Sequence, residues 1–319
     1  MNENIPITFP GLGWSFSVHS VALSLGNLTI KWYGILIAAG LLLAILYAFR
    51  RCRDFKISAD DLTDVIIISL ICGVVGARLY YVVFFPGVNG VNPYWMNPSA
   101  ILEIWNGGLG IYGGVIGALL AAFIACKVKK ISFGAVFDMA GLGFAIGQAI
   151  GRWGKFFNRE AYGAATKSWW RMAGVDPNNI TTGYQPCFFF ESVWLIIGFV
   201  LLHFYSKKLQ RFKGEIFLLY IMWYGFERFF IEGLRTDSLM IGNFRISQLI
   251  AILSFIVALC IWIWMRLKIR DTVSNKMDYQ PLYAEETKAV EKEHEQYQSN
   301  SQKEKTDSEK EQGSDSQNK

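Results

Sequence analysis

The feature that most constrains this chain is a series of long apolar stretches, each near the roughly 20 residues that an α-helix needs to cross a bilayer. The pattern predicts an all-α fold: a polytopic integral membrane protein of about seven transmembrane helices. It excludes a soluble enzyme. It also excludes a nucleic-acid binder, because the basic residues lie in loops and form no continuous face. The predicted spans are Ile30–Phe49, Val65–Phe85, Leu109–Cys126, Ile131–Ile150, Cys187–Tyr205, Ile216–Ile231 and Ile246–Met265.

Basic residues between the spans predict the orientation. In a seven-span protein their four clusters lie on one side, which the positive-inside rule assigns to the cytoplasm. We therefore expect the N-terminus outside and the C-terminus in the cytoplasm. The N-terminal residues lack a basic region, so they are not expected to form a cleaved signal peptide. The clusters are Arg50, Arg51, Arg53 and Lys56; Lys127, Lys129 and Lys130; Lys207, Lys208, Arg211 and Lys213; and Arg266, Lys268 and Arg270.

The composition changes near residue 270. Residues 1–270 contain all the predicted spans and are expected to form one membrane catalytic domain. Residues 271–319 hold 7 Lys and 12 Asp or Glu, with few large apolar residues. Such a segment cannot bury a core, so it is expected to be a disordered, acidic cytoplasmic tail.

The sequence contains a glycine motif that is better explained by helix packing, and it lacks the patterns expected of a disulfide framework or a metal site. Gly108, Gly110 and Gly113 match the dinucleotide pattern GxGxxG, but they open a predicted span instead of following a strand. Small residues at this spacing let membrane helices approach closely, and packing is the favoured explanation. The five cysteines and three histidines are scattered, so neither a disulfide framework nor a metal site is expected.

Arg78 and Asp138 are charged residues inside predicted spans. Arg78 lies in the second span, where a charge costs at least about 2.5–3.5 kcal/mol on insertion scales. It is expected to face the protein interior or a water-filled cavity, and snorkelling to the outer headgroups is the alternative. Asp138, nearer the cytoplasmic end of the fourth span, is expected to be structural.

The most unusual segment covers residues 147–163. If it remains helical, Arg152, Lys155 and Arg159 share one face, at i, i+3 and i+7. That face lies at headgroup depth, where the planar guanidinium fork suits phosphate oxygens. The alternative is an ordinary solvated helix end.

A second charged segment, residues 224–237, ends the sixth span on the same outward side. On a continuing helix, Arg228, Glu232 and Arg235 share a face. An ion pair between Arg228 and Glu232 is the structural explanation, and Arg235 is then the predicted anion ligand.

These segments resemble the bacterial prolipoprotein diacylglyceryl transferases. The resemblance covers about residues 5–270, with the family's seven spans in the expected order. The matching runs are Arg152-Trp-Gly-Lys155-Phe-Phe-Asn158-Arg-Glu160-Ala-Tyr-Gly163, Lys31-Trp32-Tyr33-Gly34, Gly76-Ala77-Arg78, Trp105-Asn-Gly-Gly-Leu-Gly-Ile-Tyr112 and Glu232-Gly-Leu-Arg235.

The chain departs from the family pattern at three places. Lys155 stands where the family usually has Asn, and Tyr112 stands where many members have His. The run before Glu191 reads Pro-Cys-Phe-Phe-Phe where Pro-Ser/Thr-Gln-Leu-Tyr is common. These departures put in question a direct transfer of function at Lys155 and a histidine base at position 112.

The resemblance implies transfer of the diacylglyceryl group of phosphatidylglycerol to the lipobox cysteine of a prolipoprotein signal peptide, in the bacterial cytoplasmic membrane. The products are a thioether and glycerol 1-phosphate, and no metal or cofactor is implied. The nucleophile is the thiolate of the substrate. The implied roles are phosphate binding by Arg152 and Arg235, assisted by Lys155 and Arg78; headgroup shaping by Asn158, Glu160 and Gly163; hydrogen-bond donation by Tyr33 and Tyr112; and proton acceptance by Glu232.

Two other functions are compatible with a membrane protein of this composition. A small-solute transporter would place charges near the midplane along a path, whereas most outward-side charges here gather at one rim. A different membrane enzyme acting on phospholipid headgroups is the nearer alternative.

Overall fold

The structure is a computed structural model that describes residues 5–25, 28–85, 87, 92–104, 107–176, 178–235, 240–241 and 244–273. The predicted acidic tail lies outside the described residues from residue 274 onward. The α-helices of the described part are α1 (Trp32–Arg51), α2 (Ala59–Phe84), α3 (Pro93–Met96), α4 (Ile111–Lys129), α5 (Phe133–Phe157), α6 (Cys187–Lys208), α7 (Glu215–Leu234) and α8 (Ile246–Val273).

The predicted helical membrane fold is confirmed. Within the described residues, all helices except the short α3 coincide with the predicted spans, and six of them are long and apolar enough to cross a membrane. The helix that does not qualify by composition is α7, which carries Glu227, Arg228 and Glu232. Both glutamates are buried, so these charges face neighbouring helices and not lipid.

The helix α7 runs antiparallel to α8. Near one end, the side-chain amide of Gln248 donates to the carbonyl of Phe229 at 2.9 Å. Near the other end, Arg266 forms an ion pair with the buried Glu215 at 2.5 Å. Because α8 is long and apolar enough to cross a membrane, we expect the antiparallel α7 to traverse the same thickness beside it.

Short antiparallel hairpins lie between and before the helices. In the described residues they pair β1 (Ile7–Phe9) with β2 (Trp14–Phe16), β3 (Val21–Leu25) with β4 (Leu28–Lys31), and β5 (Met240–Ile241) with β6 (Phe244–Arg245). The sequence analysis did not predict them, because strands of two to five residues are too short to show a clear alternating pattern.

Glycines set the closest helix contacts. The backbones of α2 and α4 approach so closely that a Cβ on Gly76 would collide with the carbonyl of Gly113. Between α1 and α5, a Cβ on Gly40 would lie 2.9 Å from the carbonyl oxygen of Gly147. The packing explanation for the glycine motif at the start of α4 is therefore confirmed.

Asp138 has the predicted structural role. Its side chain is fully buried and accepts hydrogen bonds from the backbone N–H groups of Gly214 at 2.7 Å and Phe217 at 3.1 Å. These groups belong to the first turn of α7, so Asp138 caps that helix from α5. Gln210 adds a third hydrogen bond at 2.6 Å.

Candidate active site

Arg152 lies in the last two turns of α5 and points into the protein. Its side chain is 9% exposed, and its guanidinium pairs with Glu191 of α6 at 3.2 Å. The Tyr224 side chain of α7 also forms a hydrogen bond with it. Arg152 therefore joins three helices at one end of the bundle.

Arg228 of α7 links two buried glutamates. Its guanidinium lies 2.6 Å from the Glu232 carboxylate, one helical turn away, and 3.4 Å from the Oε1 atom of Glu191. The predicted Arg228–Glu232 ion pair is confirmed. The sequence analysis did not predict the second contact, which makes Glu191 a common acceptor for Arg152 and Arg228.

Lys155, one turn beyond Arg152 on α5, adds another positive charge. It is half-buried and interacts electrostatically with Arg152, Arg228, Arg235 and Glu191. The structure therefore brings Arg152, Lys155 and Arg235 together, as predicted from the two separate segments.

Backbone hydrogen bonds join these two segments directly. The N–H of Ala164 donates to the carbonyl of Leu234 at 2.6 Å, and Gly163 pairs with Arg235 in an antiparallel bridge. A Cβ on Gly163 would lie 2.7 Å from the sulfur of Cys187, so only glycine fits at this position. The predicted site residue Gly163 thus brings the end of α7 against the connection after α5.

Arg159 does not share a face with Arg152 and Lys155, so that expectation is wrong. The helix α5 ends at Phe157, and Arg159 adopts a left-handed backbone with φ of +53°. Its buried guanidinium donates to the carbonyls of Gly174 at 2.8 Å and Val18 at 2.9 Å, and also to Ile5 at 2.6 Å.

Arg235 likewise leaves the predicted helical face. The helix α7 ends at Leu234, and Arg235 has extended backbone angles of −78° and 147°. Its position follows from the bridge to Gly163 instead of from a continuing helix.

Arg78 has a different environment from the one predicted for a phosphate ligand. It is 5% exposed, and every guanidinium N–H group donates to a backbone carbonyl, at Ala100, Ile101, Glu103, Gly107 and Gly108. The expectation that it faces the interior is confirmed, and the snorkelling alternative is not. With its donors occupied, Arg78 fastens the connection before α4 to α2 and has none left for a phosphate.

The remaining predicted residues lie around the cluster or away from it. The Tyr33 ring packs on Gly154 of α5, where a Cβ would lie 2.8 Å from the ring. Asn158 ends α5, with its N–H bonded to the carbonyl of Gly154 at 3.1 Å, and Glu160 is exposed. Tyr112 is exposed at the start of α4, and its described ring contact is with Tyr80 of α2.

Sequence reasoning missed three members of the cluster: Glu191, Tyr224 and Glu227. A signal was present for the two acids, because ionisable residues within apolar spans are rare and are by default functional candidates. Tyr224 gave no such signal.

Apolar helices with a buried, cation-rich cluster at one end define a multi-pass membrane protein with a polar site near a membrane surface. A sequence profile described as prolipoprotein diacylglyceryl transferase matches residues 20–264. The chain belongs to this family.

Individual relatives agree with the profile. The chain is 41% identical over 255 residues to a protein of Listeria welshimeri, covering 78% of this chain and 90% of that one. It is 38% identical over 273 residues to a protein of Staphylococcus aureus strain Newman, covering 83% and 95%. Both relatives are named phosphatidylglycerol–prolipoprotein diacylglyceryl transferase.

Proposed function

We propose that this chain transfers the diacylglyceryl group of phosphatidylglycerol to the cysteine thiol in the lipobox of prolipoprotein signal peptides. The products are a thioether and glycerol 1-phosphate. The enzyme acts in the bacterial cytoplasmic membrane, with its N-terminus outside and its C-terminus inside. Residues 1–270 form the catalytic domain, and the acidic segment 271–319 is a dispensable cytoplasmic tail.

The observation that carries this proposal is the charge of the buried cluster. Four cations of the described residues, Arg152, Lys155, Arg228 and Arg235, meet the carboxylates of Glu191, Glu227 and Glu232. When all seven groups are ionised, the cations exceed the anions by one. A single phosphodiester anion at this site restores neutrality.

In the proposed mechanism, Arg152 and Arg235 hold the phosphate of phosphatidylglycerol from two sides. The cysteine sulfur of the substrate loses its proton as it attacks the glyceryl carbon that carries the phosphate, the new C–S bond forms, and the C–O bond breaks with its electrons on the phosphate oxygen. The two guanidinium groups stabilise the charge that develops there. Lys155 assists them, Asn158, Glu160 and Gly163 shape the site around the headgroup, and Tyr33 donates a hydrogen bond.

The direct test uses the purified full chain in vesicles that contain phosphatidylglycerol, with a peptide that carries a lipobox cysteine. We expect a mass gain of one diacylglyceryl group on the cysteine sulfur. Release of glycerol phosphate without modification of the peptide would favour a different headgroup-cleaving enzyme. Solute uptake without either product would favour a transporter.

The pair of arginines that holds the phosphate, Arg152 and Arg235, is called the phosphate clamp and has its own test. Removing one donor to developing charge in a water-poor site costs about 2.7–4 kcal/mol, or roughly 10²–10³ in rate. We expect Arg152→Ala and Arg235→Ala each to lower the rate of single-turnover transfer by about that factor. Lysine at either position should restore the rate only partly, because it lacks the planar guanidinium fork. Arg171→Ala, a change to a partly exposed arginine of the connection after α5, is the matched control. Near-normal transfer by both alanine variants would contradict the clamp.

A further inference from the structure

Glu227 of α7 is buried without the partners that a buried carboxylate normally has. The residue is 5% exposed, and among the described residues neither carboxylate oxygen accepts a hydrogen bond. Buried polar groups in proteins are almost always hydrogen-bonded, because an unpaired one loses its hydration without replacement. This position therefore requires a specific explanation.

The surroundings of Glu227 are the candidate active site. It interacts electrostatically with Arg152 and Lys155 of α5, with Glu191 of α6 and with Arg228 of its own helix. The other helix packed against α7 is α8, whose residues 246–265 contain no Asp, Glu, His, Lys or Arg. Among the described residues, these four charged groups all belong to the proposed phosphate site, and the phenol of Tyr220 also interacts with Glu227 and Arg152.

The other two carboxylates of the cluster are engaged. Glu232 is held in its ion pair with Arg228 at 2.6 Å, and the Oε1 atom of Glu191 is a common acceptor for Arg152 and Arg228. Of these three described carboxylates, Glu227 is the one with neither oxygen hydrogen-bonded. The geometry thus disfavours Glu232, the residue expected from the sequence to accept the proton.

We infer that Glu227 is the proton acceptor of the transfer reaction, an inference that rests on the proposed function. The thiol proton passes to one Glu227 oxygen as the sulfur attacks the glyceryl carbon. The C–S bond forms, the C–O bond breaks, and the electron pair leaves with the glycerol phosphate. The proton then passes from Glu227 to water as the products depart.

The test compares wild-type protein with Glu227→Gln, which keeps the size and removes the acceptor. Single-turnover transfer to the lipobox peptide is measured from about pH 6 to about pH 10, a range that brackets the thiol pKa of about 8.5. At neutral pH we expect the variant to be slower by about 10²–10⁴, the usual contribution of general base catalysis. The deficit should shrink as the pH passes 8.5, because the thiolate then forms without the enzyme.

Tyr47→Phe is the matched control. Tyr47 lies on α1 at the end of the bundle opposite Glu227, and its hydroxyl forms a hydrogen bond with Nδ1 of His203 at 2.7 Å. This change also removes one polar group from a membrane helix, and we expect wild-type rates at every pH.

A near-normal Glu227→Gln rate at neutral pH would overturn the inference. So would a deficit that stays constant with pH, because that pattern indicates a structural role. If the glutamine variant does not insert, Glu227→Asp replaces it. The aspartate variant should be slower than wild-type with an unchanged pH dependence, and a wild-type rate would contradict the inference. Absence of transfer by the wild-type protein would instead reject the proposed function itself.

Discussion

At the scale of single residues, the buried arginines divide by the acceptors they meet. Arg78 and Arg159 donate to backbone carbonyls, which are fixed in place by the fold. Arg152 and Arg228 meet side-chain carboxylates instead. A carbonyl-bound arginine therefore fastens a connection, whereas a carboxylate-bound one can exchange its partner for a phosphate of the same charge.

A substitution at Lys155 tests how many positive charges the site requires. We expect Lys155→Asn, which introduces the residue that is usual in the family, to remain active because Arg152, Arg228 and Arg235 are retained. Its kcat should stay within about tenfold of wild-type while the KM for phosphatidylglycerol rises. This pattern is expected when a mutation removes an interaction that the bound substrate and the transition state share equally. Lys167→Asn, a change to an exposed lysine beyond α5, is the control. Abolished turnover would instead assign Lys155 an essential charge.

Sequence reasoning chose three cations that the structure brings together, and it failed on their geometry. Arg152, Lys155 and Arg235 could be chosen because cations at the outward ends of spans require an explanation. The ends of α5 and α7 could not be predicted, because the left-handed Arg159 and the Gly163–Arg235 bridge depend on contacts between distant segments. The unpartnered carboxylate of Glu227 was unpredictable for the same reason.

At the scale of elements, the spans were predictable because each is governed by the local pattern of apolar residues. The predicted and observed helices differ mainly at their ends, where α2 begins at Ala59 and not at Val65. Ser58 explains this difference, since its side chain accepts the N–H of Asp61 at 3.1 Å and caps the helix. The short hairpins depend on pairing across the fold and leave little local pattern.

The contact between α2 and α4 provides an element-scale prediction. A Cβ on Gly113 would collide with the Gly76 carbonyl, whereas a Cβ on Gly114 would lie 3.4 Å from the Ala77 Cβ, an ordinary contact. We expect Gly113→Ala to destabilise the protein by about 1–3 kcal/mol, the usual effect of overpacking. Gly114→Ala is the matched control and should have little effect. Thermal unfolding in detergent measures the stability of both variants. Equal unfolding midpoints would contradict the close contact between α2 and α4 at Gly113.

At the scale of the whole molecule, polar groups are buried at the two ends of the bundle while apolar side chains cover its sides. At one end, Glu215 accepts from Trp262 at 2.9 Å and pairs with Arg266. At the other end lies the Arg152 cluster. Exposed residues such as Leu42, Ile71 and Leu253 lie on helix faces between them, as expected for a surface that contacts lipid.

The orientation of this bundle in the membrane is the final prediction. Six helices are long and apolar enough to cross a membrane, and because α7 runs antiparallel to α8 we expect it to make a seventh crossing. Arg51 donates to Ser206 near the end of α6, and Arg266 pairs with Glu215 at the start of α7, so these basic residues lie at the end opposite the Arg152 cluster. The positive-inside rule then predicts that the Arg152 cluster lies on the outer side of the membrane. In a Cys260→Ser background, we expect Lys167→Cys to react with an impermeant thiol reagent in intact cells. Lys127→Cys, at the end of α4, should react only after permeabilisation, and its labelling in intact cells would contradict the seven-span orientation.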